Sequence, residues 1–197
     1  MTINPGDQVV WVSTTTNTPV HTGTSASPNF TTPTLAPGAH GYRVHILSAD
    51  GCTGDASDEY KVYVLPSTTL ALSNPSADEY CENATTRSSK IVASATAGAT
   101  LPEKVTYSYT WQVEKNGASV ADLSTVGNIT TNINTLSSEF EVTTATVGTY
   151  AISTKVHFTV PVGSVLKSND NQGCVETTSP KQVTVTPKPG KPTITIL

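Results

Sequence analysis

Three cysteines, four histidines and two groups of carboxylates are the residues in this 197-residue chain best equipped for chemistry. Cys52, Cys81 and Cys174 show no Cys-x-x-Cys spacing, and no histidine lies close enough in sequence to complete a zinc site. His21, His40, His45 and His157 stand alone, in polar stretches or at alternate positions of strand-like segments. No Gly-x-Ser-x-Gly elbow occurs, and no serine, histidine and acid are grouped with local support. No catalytic residue and no cofactor are therefore assigned, and the chain is read as a non-enzyme.

Calcium is the one metal the carboxylates invite, through Asp50, Asp55, Asp58 and Glu59 in one stretch and Asp78, Glu79 and Glu82 in another. It needs six to eight oxygens, which loops of a β-sandwich can converge to supply. The Asp-x-Asp-x-Asp-Gly frame is missing, however, and solvated loop carboxylates are the commoner outcome. Calcium stays a minor reading. A sugar ring would need a flat exposed aromatic. Tyr63 alternates out of phase with Tyr60, Val62 and Val64, so its ring is expected to face solvent as a possible ligand-binding residue. Tyr80 is read as a loop residue.

The elements that must carry these residues are strands. Thr, Ser, Ala, Val and Gly dominate, only 13% of residues are charged, and 13 Pro and 13 Gly interrupt every stretch long enough for a helix. Val105, Tyr107, Tyr109, Trp111 and Val113 alternate with polar residues, as do Tyr150, Ile152, Val156, Phe158 and Val160, where Thr154 is the only polar break. Shorter alternations run through Tyr42-Val44-Ile46, Tyr60-Val62-Val64, Ile91-Ala93-Ala95 and Val183-Val185. Net charge is −4 with scattered Lys and Arg, which disfavours nucleic acid. No apolar run approaches the roughly 18 residues of a membrane helix, so no membrane insertion is expected. Residues 1–12 lack a basic start and an apolar stretch, and Met1 is read as the start of a fragment or of a mature chain.

An order of landmarks occurs twice. Trp11, Tyr42-x-Val44, Gly51-Cys52 and Tyr60-x-Val62-x-Val64-x-Pro66 are followed by Trp111, Gly148-Thr149-Tyr150-x-Ile152, Gly173-Cys174 and Val183-x-Val185-x-Pro187. The second copy also has Leu70-x-Leu72, Cys81 and the Ile91–Ala95 strand ahead of its Trp, whereas the first begins a few residues before Trp11. The expected organisation is an all-β chain of tandem immunoglobulin-like β-sandwich domains. Residues 1–66 form a partial domain lacking its opening strands, 67–187 a complete one, and 188–197 a linker with the first strand of a next repeat.

These landmarks resemble the Ig-like or PKD-like repeats of very large secreted surface proteins and adhesins of Bacteroidetes-type bacteria. The resemblance implies that Trp11 and Trp111 are core tryptophans of the third strand. Tyr42 and Tyr150 would open the sixth strand, their hydroxyls bonding nearby backbone. It further implies a disulfide between Cys81 and Cys174, tying the start of the second strand to the last hairpin, with Cys52 unpaired in this fragment; the sequence also allows Cys52 to pair with Cys81, or three free thiols in a reducing compartment. Such repeats are extracellular, on the bacterial cell surface, and serve as stalks, spacers or adhesive modules. The expected partners are neighbouring repeats of the same chain. Surface glycans or proteins, bound through residues 161–173 or 117–138, and head-to-tail self-assembly by strand exchange are the alternatives.

Overall fold

Alternation of β-branched and aromatic residues with short polar ones builds fourteen strands among the described residues of the computed structural model, which are 3–132, 136–167 and 175–193. The chain divides into two compact units, Met1–Pro66 and Ser67–Leu197. In the first, β1 (Gln8–Ser13), β2 (Thr18–Thr24), β3 (Gly38–Leu47) and β4 (Tyr60–Val64) form one antiparallel sheet in the order β2-β1-β3-β4. Register places Val9, Trp11, Tyr42, Val44, Ile46, Tyr60, Val62 and Val64 on one face, and Val12, Arg43, His45, Lys61 and Tyr63 on the other.

The polar face has its own tie. The Thr14 hydroxyl donates to Glu59 Oε1 at 2.6 Å, while Lys61 Nζ lies 3.4 Å from the other oxygen. A Cβ at Gly41 would collide with both Thr14 Oγ1 and Glu59 Oε1, so only glycine lets this bond cross β3. The Thr14 bond, with help from Lys61 and Arg43 and against partial desolvation, holds the Glu59 carboxyl below the usual carboxylate range.

The second unit is an immunoglobulin-like β-sandwich. One sheet takes β5 (Thr68–Leu72), β7 (Ser89–Ala97), β10 (Gly127–Asn132) and β11 (Ser137–Val142) in the order β10-β11-β7-β5. The other takes β6 (Glu79–Cys81), β8 (Thr106–Lys115), β9 (Ala118–Ser119), β12 (Gly148–Thr159) and β14 (Lys181–Thr186) in the order β6-β14-β12-β8-β9, with β13 (Glu176–Thr177) also beside β12. Every pairing is antiparallel except that of β6 with β14. Ile91 and Ala93 of β7, Phe140 and Val142 of β11, Trp111 and Val113 of β8, Ile152 of β12, and Val183 and Val185 of β14 meet in one buried cluster. Thr154, the polar break in β12, is fully buried, and its hydroxyl donates to the Thr110 carbonyl at 3.2 Å.

The two units share more than sheet order. The Trp111 ring lies 5.6 Å from Phe140, tilted 39°, and its Nε1 donates to Ser138 Oγ at 2.9 Å. The Trp11 ring lies 5.9 Å from Phe30 at the same tilt, and its Nε1 donates to the carbonyl of Pro28 at 2.9 Å. In both units the acceptor stands two residues before the phenylalanine. Gly38 and Gly148, both with positive φ, open β3 and β12 opposite Val64 and Val185. Residues 28–42 thus match 138–152 without a gap.

This match corrects the expected pairing of Tyr42 with Tyr150. The counterpart of Tyr150 is His40. Tyr150 donates its hydroxyl to the Thr146 carbonyl at 2.7 Å, and His40 Nε2 sits 2.8 Å from the Ala36 carbonyl, each four residues upstream. A carbonyl only accepts, so His40 Nε2 carries the proton. Tyr42, one alternation further on, is a buried core residue in the place of Ile152. Trp11 is half-buried, unlike Trp111 at 5% exposure, because among the described residues of the first unit no second sheet of strands lies over its apolar face. Tyr80 is not a loop residue: it is buried in β6 and donates to the Thr144 carbonyl at 2.8 Å.

Replacing Phe140 by Ala should cost the second unit about 3–5 kcal/mol, whereas Phe30→Ala, at a half-buried site, should cost the first unit clearly less; urea unfolding of each variant measures the difference. Tyr150→Phe should lower stability by about 1 kcal/mol, the net worth of one hydrogen bond. Because the folded Glu59 pKa is depressed, its bridge stabilises the first unit above the ordinary carboxylate range and is lost as pH falls through the folded value. An acid titration of unfolding should show this step in the parent and lose it in Thr14→Ala.

Candidate functional site

The cysteines lie in different surroundings. Cys52 is exposed in the segment joining β3 to β4, where its N–H bonds to Ser48 Oγ at 3.0 Å. Cys81 ends β6, a strand that precedes β7 rather than the start of the second long strand, and it lies 3.5 Å from Thr186 Oγ1. Both are free thiols here; Cys174 lies outside the described residues, as do residues 194–197 of the expected final strand.

The acidic groups do not converge. Among the described residues, no three His, Cys, Asp or Glu side chains are placed to hold a metal ion. Glu59 is committed to Thr14 and Lys61, and Glu82 Oε1 accepts the Lys188 backbone N–H at 2.8 Å. Asp78 and Glu79 line an open polar hollow with Asn74, Lys181 and Thr184, in which Lys181 Nζ donates to Asn74 Oδ1 at 2.9 Å.

The histidines also stay apart. His45 is on the polar face of β3 and His157 pairs with Ser108 across β12 and β8. His21 stacks on Phe30 at 5.5 Å, and its buried Nε2 has no hydrogen-bond partner among the described residues. No two of the four share a site.

Concavity and chemistry coincide best on the polar face of the first unit. A groove of about 490 Å³ is lined by Val12, Thr14, Asn17, Arg43, His45, Ala56 and Glu59. Strand register sets this lining: Arg43 and His45 are two apart on β3, so they point the same way, and Val12 lies opposite Arg43 on β1. Asn17, with φ of 53°, turns the β1–β2 hairpin at the groove's rim. A guanidinium and an imidazole thus line the groove together with a carboxylate and the small apolar side chains of Val12 and Ala56. The arrangement suits reversible binding of a polar ligand: Arg43, His45 and Asn17 offer polar groups along the groove, and the Thr14 hydroxyl is engaged by Glu59. The groove is not legible in the sequence because Thr14, Arg43 and Glu59 come from the β1–β2 turn, from β3 and from the β3–β4 connection.

Tyr63 lies on this same face and is 38% exposed. Tyr60, on the apolar face, is more exposed still, at 64%. Along β4 Lys61 and Tyr63 are exposed and Val62 and Val64 half-buried, as alternation expects, and Tyr60 at the strand's start is the departure.

No family model matches the chain, and no curated protein matches it. Among solved structures, the chain is similar to the fibronectin(III)-like modules of Clostridium thermocellum CbhA. The match has a TM-score of 0.41 and 14% identity, and it spans 95% of this chain and 82% of that one. At that level the likeness transfers neither ligand nor activity to this chain.

Proposed function

We propose that the chain is a non-catalytic structural segment of an extracellular bacterial surface protein, with its sandwich serving as a spacer in a longer array. One observation carries this reading: the chain enters and leaves the second unit in the same direction. After β5 it continues antiparallel to β7, through the bonds Ser73 N to Val92 O and Ser76 N to Lys90 O, and then runs as β6 parallel to the final strand, β14. Chain entering at one end and leaving at the other suits modules joined head to tail. β12, at twelve residues, spans about 40 Å at 3.3 Å per residue. Pro66 before β5, and Pro187, Pro189 and Pro192 after β14, favour semi-rigid junctions.

Pulling on the two ends loads the parallel β6–β14 pair in shear, so its hydrogen bonds must break together. Single-molecule stretching of the full chain should show the second unit unfolding in one event, at a force lowered by Thr184→Pro, which removes the N–H bonded to the Asp78 carbonyl across this pair. Stepwise extension at low force would overturn the spacer reading.

In an oxidising exterior the resemblance pairs Cys81 with Cys174, leaving Cys52 free. Alkylation without reductant, followed by mass spectrometry, should then label Cys52 alone. Labelling of all three would remove the disulfide.

A recognition role is the second reading, favoured by the groove at Arg43, His45 and Glu59. A glycan array should show saturable binding that is lost in Arg43→Ala. A blank array, or binding indifferent to that change, rejects sugar binding at this groove.

A further inference from the structure

We propose that the first unit is an acceptor for one added β-strand of β7 chemistry, which pairs antiparallel with residues 28–32 and lies over the exposed part of the apolar face. The inference concerns the first unit alone, so it stands or falls separately from the spacer reading, which rests on the second.

The second unit shows what belongs on such a face. Residues 28–32 correspond to 138–142 of β11, through the shared Trp–Phe contact and the acceptor two residues before it. In the second unit that stretch is a strand, bonded to β7 on one side and β10 on the other. In the first, residues 28–32 form no strand, and Asn29, Thr31 and Thr32 make no hydrogen bond to the described residues. Backbone groups that secondary structure would ordinarily satisfy are left to solvent.

The apolar face records the same lack. Matched by register, Val44, Ile46, Val62 and Val64 take the places of Thr154, Val156, Val183 and Val185. The latter four are at most 1% exposed; the former are all half-buried, with Tyr60 beside them 64% exposed. Phe30, seated on Trp11, His21 and Tyr42, covers the middle of the sheet only.

The partner's chemistry follows from β7. Ile91, Ala93 and Ala95 point inward at 0%, 0% and 8% exposure, alternating with polar or less buried residues. Phe140 stands opposite Ile91 and Ser138 opposite Ala93. A strand with a branched apolar residue opposite Phe30 and small residues on either side would fill the space without displacing the Trp11–Phe30 contact. The Ala95 N to Leu136 O bond shows that even-numbered residues of β11 turn their backbone groups toward β7. By correspondence, the amides of Phe30 and Thr32 face the incoming strand and those of Asn29 and Thr31 face away. Pro28 stands where Ser138 does and has no N–H, so the ladder loses one bond there.

The probe is a peptide of this chain's own residues 87–97, added to the full chain or joined ahead of residue 1 by a flexible Gly-Ser linker, which sets an effective concentration of about a millimolar. Amide exchange by NMR is expected to slow about tenfold or more at Phe30 and Thr32, with little change at Asn29 and Thr31. The same peptide carrying Ile91→Asp should give no protection, and Val62→Lys in the first unit should weaken it. Unchanged exchange at Phe30 and Thr32 in the linked protein overturns the proposal. So does equal protection by the Ile91→Asp peptide. Protection of these two amides without peptide, rising with protein concentration, would show that a second copy's face is the occupant, and would overturn it too.

Discussion

An indole laid against a phenylalanine, with its N–H tied to the residue two positions earlier, organises both halves of this protein. In the second unit Trp111 rises from β8 and meets Phe140 and Ser138 of β11, so a single side chain joins the two sheets by dispersion and by a hydrogen bond. The contact sets the spacing at which Ile91, Ile152, Val183 and Val185 can close around it. In the first unit Trp11 makes the same pair of interactions with Phe30 and the Pro28 carbonyl. There the indole holds an irregular segment instead of a strand, because nothing equivalent to β7 stands beside it. One constraint yields a closed sandwich in one case and a half-covered sheet in the other.

The polar groups are used mostly to satisfy backbone and to hold edges. Tyr80, Tyr150 and His40 each bond a carbonyl, and Tyr109 reaches both the Ala95 N–H and the Leu136 carbonyl. On the outer face of the β7–β11 pair, Lys90 sits between Glu139 and Glu141, an exposed arrangement of small energetic weight. Thr14 and Glu59 clasp over Gly41. Side chains occupied in this way hold the edges and turns of the two units in place.

Much of the fold was legible because alternation with a period of two survives wherever one face of a strand is buried. The strands through Trp111, Tyr150, Ile91 and Val183 lie where Val, Ile and aromatic residues alternate with Ser, Thr and Gln. β2 and β10 were not legible, since Thr18–Thr24 and Gly127–Asn132 contribute few buried side chains and are held by cross-strand backbone bonds. β6 escaped for a related reason: only Tyr80 of its three residues is fully inward, and its parallel pairing with β14 spans more than a hundred residues. The groove beside Arg43 and His45 was equally hidden, because its wall is shared among β1, β3, a hairpin turn and the β3–β4 connection.

The amino-acid order by itself determined the all-β character, the recurrence of the tryptophan strands and the division of polar from apolar faces. These depend on residue type and on a two-residue period, which are local. Only the tertiary structure decided that His40, rather than Tyr42, answers Tyr150. That identity depends on which residues lie opposite Val62 and Val183 across a sheet, and unequal loops conceal it in the sequence. The tertiary structure likewise decided that Tyr60 is the more exposed ring. Alternation assigns a side chain to a face, whereas its burial depends on whether another layer covers that face.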